Sequence, residues 1–268
     1  MIFHYDISQV SPYINWIYFY HAWGLAGKPQ EQKDRLRREA DGMLSMFEGR
    51  YRTHAVACVL EANSDGDDLI LGGKRLPMLR QQHAPSPDQP NLCLADFVRP
   101  LSSGIADRAG AFAATVDVAM EHDFVGDDYL RMLAQTLADR LAEATTERMH
   151  EEVRRHYWGY APDENLTVRQ MLREEFQGIR PAVGYPSLPD TSFNFLLDEL
   201  IDMKQIGIRL TESGAMRPHA SVSGLMFAHP QARYFDIGNI DSEQLADYAR
   251  RRHLPVALMR RFLASRLQ

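Results

Sequence analysis

From about Asp127 to Tyr157 the sequence carries one continuous helical stripe, in which Leu130, Leu133, Leu137, Leu141, Ala144 and Val153 recur on a single face. A helix of that length is the spine of the fold, and the other elements must be placed around it. Thr167 and Gln170 have capping-box spacing ahead of a short helix ending near Gly178. A further helix is predicted over roughly Ser192 to Gln205 with Gly207 as its stop. Asp241 and Gln244 repeat the capping spacing, and Pro255 suits the first turn of a last helix ending in RRFLASRL. Near the start, Ser11-Pro12 reads as a helix opening, after which Trp16, Phe19, Tyr20 and Trp23 give one aromatic face. A second helix covers about residues 30 to 48, with Leu36, Ala40, Met43, Leu44 and Phe47 as its apolar stripe.

Between these helices the periodicity shortens. THAVACVLEA, NSDGDD turn chemistry and LILGG predict a hairpin between His54 and Leu71, and residues 83 to 90 are a loop. NLCLADFV and AGAFAATV read as buried strands, and GIRLT, SVSGLMF and RYFDIG as strands of the second half. Two groups of strands separated by long helices, with few alternating βαβ units, predict an α+β fold with an antiparallel sheet. With 268 residues, 45% of them hydrophobic, and no repeat or low-complexity linker, one globular unit is expected.

Several function classes lose their support at this level. A formal net charge of -6 argues against broad attraction to nucleic acid or an anionic membrane. No apolar run is long enough to cross a bilayer, and MIFHYDISQ lacks the basic start and apolar stretch of a signal peptide, so a cytoplasmic location is expected. Cys58 and Cys93 each lie in an apolar segment and read as buried thiols. The Walker, Rossmann, zincin and nucleophile-elbow patterns are absent, LGGK at Leu71 to Lys74 reads as a turn, and the ten histidines show no metal-ligand spacing.

The most informative stretch is GIRPAVGYP, Gly178 to Pro186. Pro181 biases Arg180 toward extended backbone, and Gly184 permits a close approach to the main chain. A guanidinium and free backbone amides beside Tyr185 would suit a carboxylate-bearing ligand. A rigid Pro-Gly connector with a solvated arginine is the alternative.

This run, followed by LTESGAMRPHASVSGLMFAHPQARYF, resembles the activation domain of cobalamin-dependent methionine synthase, in which R-P-A-x-G-Y precedes L-T-E-S-x-A-M and A-S-V-S-G. The likeness extends to LRQQ with CLADFV, GAFA, LADRLAEA and YWGYAPDENL, and so covers residues 1–268 as one domain, faintly over 1–50. The resemblance implies a single C-shaped domain with a bent antiparallel sheet and flanking helices. It also implies a role: holding S-adenosylmethionine over an oxidised cobalamin, so that an electron from a flavodoxin-type reductant and the donor's methyl group restore methylcobalamin. Carried over residue by residue, it assigns Arg180, Ala182, Gly184 and Tyr185 to the ligand-lining run, Tyr234 to a ligand contact, and Glu143 and Glu174 to the methionine end. Arg180 then suits the ligand carboxylate, and the acids its ammonium or sulfonium charge. No side chain need act as acid, base or nucleophile.

Two departures stand out. Asn15 occupies a position where the family usually has an acid, and TSFN, Thr191 to Asn194, replaces a His-Thr-Glu-Lys run. The second places the cobalamin-facing surface in question and makes Asp190 to Asn194 a candidate docking segment. The cobalamin-ligating D-x-H-x-x-G motif is absent, and the length excludes the homocysteine and folate barrels. The expected reading is therefore a reactivation subunit whose cobalamin is supplied by a separate methionine synthase chain. A repurposed S-adenosylmethionine-binding regulator, or a methyltransferase with a non-corrinoid acceptor, are the alternatives.

Overall fold

Strands β1 (Ile2–Asp6), β2 (Arg52–Asp65), β3 (Asp68–Leu71), β4 (Lys74–Pro77), β5 (Asp107–Val116) and β8 (Ser221–Met226) build one antiparallel sheet in the order β4-β3-β2-β5-β8, with β1 also on β2. The structure is a computed structural model describing residues 1–84, 86 and 88–267. Pro85 and Pro87 of the predicted 83–90 loop lie outside the described residues. β2 is long enough to be shared: one edge runs along β5, while the other takes β1 over Arg52 to Val56 and β3 over Ala62 to Asp65. The short strands β6 (Arg209–Leu210) and β7 (Met216–Arg217) form a separate ribbon.

The helices are α1 (Ile7–Val10), α2 (Trp16–Ala22), α3 (Gln30–Phe47), α4 (Ala119–His122), α5 (Asp128–Glu152), α6 (Val168–Met171), α7 (Phe193–Ile201), α8 (Ser242–Arg251) and α9 (Val256–Phe262). Alternation along the strands gives the sheet two buried faces. Ala55, Ala57, Phe112 and Ala114 join the cluster that contains Leu133, Leu137 and Leu141 of α5, whereas Val56, Ala109, Ala111 and Ala113 join that of Phe193 and Leu197 of α7. The many alanines allow helices close to both faces, so the sheet is the middle layer of three. Leu245, Tyr248, Met259 and Leu263 close a smaller C-terminal cluster.

The spine, α3, the β2–β3 hairpin and the C-terminal helices occur where the sequence predicts them. LGGK is the turn between β3 and β4, and both thiols are free, with Cys93 buried and Cys58 half-buried. Four predictions need correction. Ser11 to Tyr13 is a 3-10 turn, after which extended Ile14 interrupts the path, so α2 starts only at Trp16. NLCLADFV is a buried 3-10 turn in which the Asp96 carboxylate accepts the Cys93 N–H at 2.8 Å; an apolar run alone does not distinguish such a turn from a strand. RYFDIG is irregular, bent where the Gly238 N–H bonds Asp236 at 2.8 Å. The short helix α6 stops at Met171, well before Gly178, as the chain turns through Glu174 at φ 60°. Among the described residues, no helix is long and apolar enough to cross a membrane.

Candidate functional site

The run Ile179 to Val183 is laid along the free edge of β8. Ile179 and Phe227 exchange backbone hydrogen bonds at 2.9 Å, the Val183 N–H donates to Ser223 at 2.9 Å, and the Leu225 N–H donates to Pro181 at 3.1 Å. Period-two alternation then sends Ile179 and Val183 into the α7-side core, while Arg180 and Ala182 line a cavity of about 720 Å³. The approach is close because residue 224 is glycine: a Cβ there would lie 2.2 Å from the Pro181 carbonyl oxygen.

Opposite this edge stands α5, whose Arg140, Glu143 and Glu147 share one face at helical spacing and line the same cavity. Arg140 Nη1 donates to Glu143 Oε2 at 2.8 Å. Burial raises the Glu143 carboxyl above the ordinary range, with Arg140 and Arg180 opposing the rise. Glu147 is ion-paired with Arg180, and each side chain is only 13% exposed. Arg180 Nε and Glu147 Oε2 are buried without a protein partner. Behind them, burial and then the charges of Arg154 and Arg180 push the His150 imidazole well down, so it is neutral. Phe176 lies between, its ring 4.2 Å from the Arg154 guanidinium and 6.0 Å from that of Arg180.

Asn15 enters from the start of α2, where its Oδ1 accepts the Ile17 N–H at 3.2 Å and caps the helix. Tyr13 and Tyr18 line the cavity from the same segment. Glu174 lies on the exposed rim, its carboxyl raised by partial burial against the pull of Arg180. Tyr185 is 54% exposed, and the Tyr234 hydroxyl accepts the Arg180 backbone N–H at 3.1 Å.

Asn15, Glu143, Glu174, Arg180, Ala182, Tyr185 and Tyr234 therefore border one cavity, and Gly184 does not. Gly184 has φ 89° and nothing close to where a Cβ would stand, so the turn conformation requires the glycine, and a close approach does not. Three of the amides expected to be free are engaged: Val183, Gly184 and Tyr185 donate to Ser223, Leu188 and Ala182. Sequence reasoning missed Arg140 and Glu147, although Glu147 lies one helical turn beyond Glu143.

The candidate docking segment is corrected as well. Asp190, Ser192, Phe193 and Asn194 are buried and only Thr191 is exposed. Asp190 receives Arg252 Nη1 at 2.6 Å and the Tyr248 hydroxyl at 2.9 Å, while Asn194 donates to the Gly214 carbonyl at 2.8 Å. These residues tie α7 to α8 and to the loop before β7.

Comparison with known proteins yields two findings. The family described as vitamin B12 dependent methionine synthase, activation domain, matches residues 6–253. A solved structure described as the MetH reactivation domain bound to AdoHcy is 39% identical over 100% of this chain and 90% of that one, with a TM-score of 0.94.

Proposed function

The chain belongs to the activation-domain family of vitamin B12-dependent methionine synthase, and from that premise we propose that it binds S-adenosylmethionine in the α5–β8 cavity and presents the methyl group to a cobalamin carried by a partner chain. The observation that carries this reading is the composition of the cavity wall. Glu143, Glu147 and Glu174 face Arg140 and Arg180, three carboxylates against two guanidiniums, while Asp236 at the same wall is already paired with Arg266. Such a wall suits a ligand with one carboxylate and two cationic centres, and about 720 Å³ is ordinary for a small-molecule site. The relative with AdoHcy bound, at 39% identity, supports the same ligand class.

Arg180 takes the ligand carboxylate, because Glu147 already orients its guanidinium. Glu143 and Glu174 favour the ammonium and sulfonium charges, and Asn15 offers a neutral hydrogen bond where the family usually has a carboxylate. Ala182 keeps the wall shallow, Tyr185 stands at the mouth and Tyr234 fixes the Arg180 main chain. Gly184 acts through the turn that carries Tyr185. Catalysis here is positioning, since the methyl acceptor and its electron come from a cobalamin protein and a flavodoxin-type reductant. The TSFN segment, buried except for Thr191, gives no support to a repurposed regulator.

Calorimetry with S-adenosylmethionine is the test. Arg180→Ala combined with Glu147→Gln, which leaves no buried charge stranded, is expected to bind more than tenfold more weakly than wild type, while Glu147→Gln alone still binds. Equal affinities for the double variant and wild type would remove Arg180 from the ligand.

A further inference from the structure

We propose that His4 and His54 form a site for a late first-row divalent cation, Ni²⁺ or Cu²⁺, held by two imidazole nitrogens with water completing a tetragonal or octahedral shell. The two residues are directly opposite in the antiparallel register of β1 and β2, so both rings leave the sheet on one face. Their Nδ1 atoms lie 2.7 Å apart. On the far side of the His54 ring, Nε2 is 2.9 Å from Asp117 Oδ1, and the other oxygen of Asp117 accepts the Arg52 N–H at 2.7 Å. This carboxylate accepts the His54 Nε2–H, so the His54 Nδ1 lone pair accepts a hydrogen bond from His4 Nδ1–H; a cation would take the place of that proton, the exposed His4 ring then carrying its N–H on Nε2. A carboxylate behind a histidine orients metal-bound imidazoles in the same way.

The spacing selects the kind of ion. Two nitrogens each about 2.0–2.1 Å from a metal stand about 2.9 Å apart at a right angle and about 3.3 Å apart at a tetrahedral angle. From 2.7 Å, a right-angled pair requires the nitrogens to part by about 0.2 Å and both rings to turn from the line between them toward a common ion, whereas tetrahedral zinc requires a parting of about 0.6 Å. Copper and nickel favour right-angled shells, and imidazole suits both. The pair opens on a cavity of about 280 Å³, also bordered by Gln205, Gly207 and Pro218, which leaves room for water ligands. Among the described residues, no three His, Cys, Asp or Glu side chains converge, so the protein supplies two donors and binds far more weakly than a four-ligand structural site. A bound cation would rivet the edge strand β1 to β2.

Calorimetric titration of the full chain with NiCl₂ at neutral pH is expected to show one site. Its affinity should fall at least tenfold in His4→Gln and in His54→Gln, and by a smaller factor in Asp117→Asn. Melting curves without metal establish that the variants fold, and His4→Gln, at an exposed position, carries the test if His54→Gln does not. One equivalent of Cu²⁺ added to the wild type should give an electron paramagnetic resonance spectrum split by two equatorial nitrogens. Absence of nickel binding, unchanged affinity in His4→Gln, or a copper spectrum without the two-nitrogen pattern overturns the assignment.

Discussion

Arg180 has a structural partner as well as a proposed ligand. Its pair with Glu147 is 13% exposed on each side, so truncating one member strands the other charge. Arg180→Ala alone is therefore expected to lower unfolding stability by about 3 kcal/mol, and adding Glu147→Gln to recover most of that loss, measured by urea denaturation. Asn15 is the N-cap of α2, and aspartate caps as well as asparagine while adding negative charge at a helix N-terminus. Asn15→Asp should leave the melting temperature unchanged or higher. It should also tighten S-adenosylmethionine binding by up to about fivefold at low salt, roughly 1 kcal/mol, with a smaller gain at high salt. An affinity that does not rise would place position 15 away from the ligand's charge. Glu143 sets the acid limit of binding. Its carboxyl is raised by burial, and the cationic ligand favours the ionised form, so affinity should already be falling above pH 4.5, where an ordinary glutamate is still charged. In Glu143→Gln that part of the pH dependence should disappear from calorimetric titrations. Glu147 was not legible from sequence because its partner lies 33 residues away, and only the docking of β8's edge against α5 brings the two together. The ligand run itself was visible because RPAVGY is local and its backbone constraints are written in Pro181 and Gly184.

At the level of elements, the TSFN departure becomes a packing feature. Arg252 and Asp190, 4% and 1% exposed, join α8 to the start of α7, with Ser192 and the Tyr248 hydroxyl completing the set. Arg252→Ala should cost about 3–5 kcal/mol in urea denaturation and lower S-adenosylmethionine affinity little at temperatures where the protein stays folded. A loss below 1 kcal/mol would mean that the network is solvated. Elements with a long period were readable: α5 and α3 each show their buried face in spacing alone, as does the β2–β3 hairpin through its turn residues. Several short elements were not. β4 has only four residues, and the alternation of β1 over IFHYD is too brief to separate from coil. Leu94, Ala95 and Phe97 are as buried as a strand would make them, yet a side-chain bond from Asp96 closes them into a turn. In this segment a local side-chain bond to the backbone, and not burial, decides the conformation.

For the whole molecule, the proposed activity needs a second body. The chain has no D-x-H-x-x-G loop to grip a corrin, so free cobalamin should bind weakly or not at all, while a cobalamin-loaded methionine synthase chain should form a complex and accept a labelled methyl group from S-adenosylmethionine in the presence of reductant. S-adenosylmethionine binding with neither complex formation nor label transfer would sink the reactivation reading. The cavity wall is drawn from Asn15, from Glu143 and Glu147, from the stretch between Glu174 and Tyr185, and from Tyr234. No contiguous fragment contains it, and its junctions close loops from tens to more than a hundred residues long, the slow kind of event in a folding chain. A refolding molecule should regain its helical signal before it regains any grip on the nucleoside. Ligand capture would then serve as a clock hand for the final stage of assembly, and a nascent chain would stay blind to the methyl donor until its last strand edge is in place.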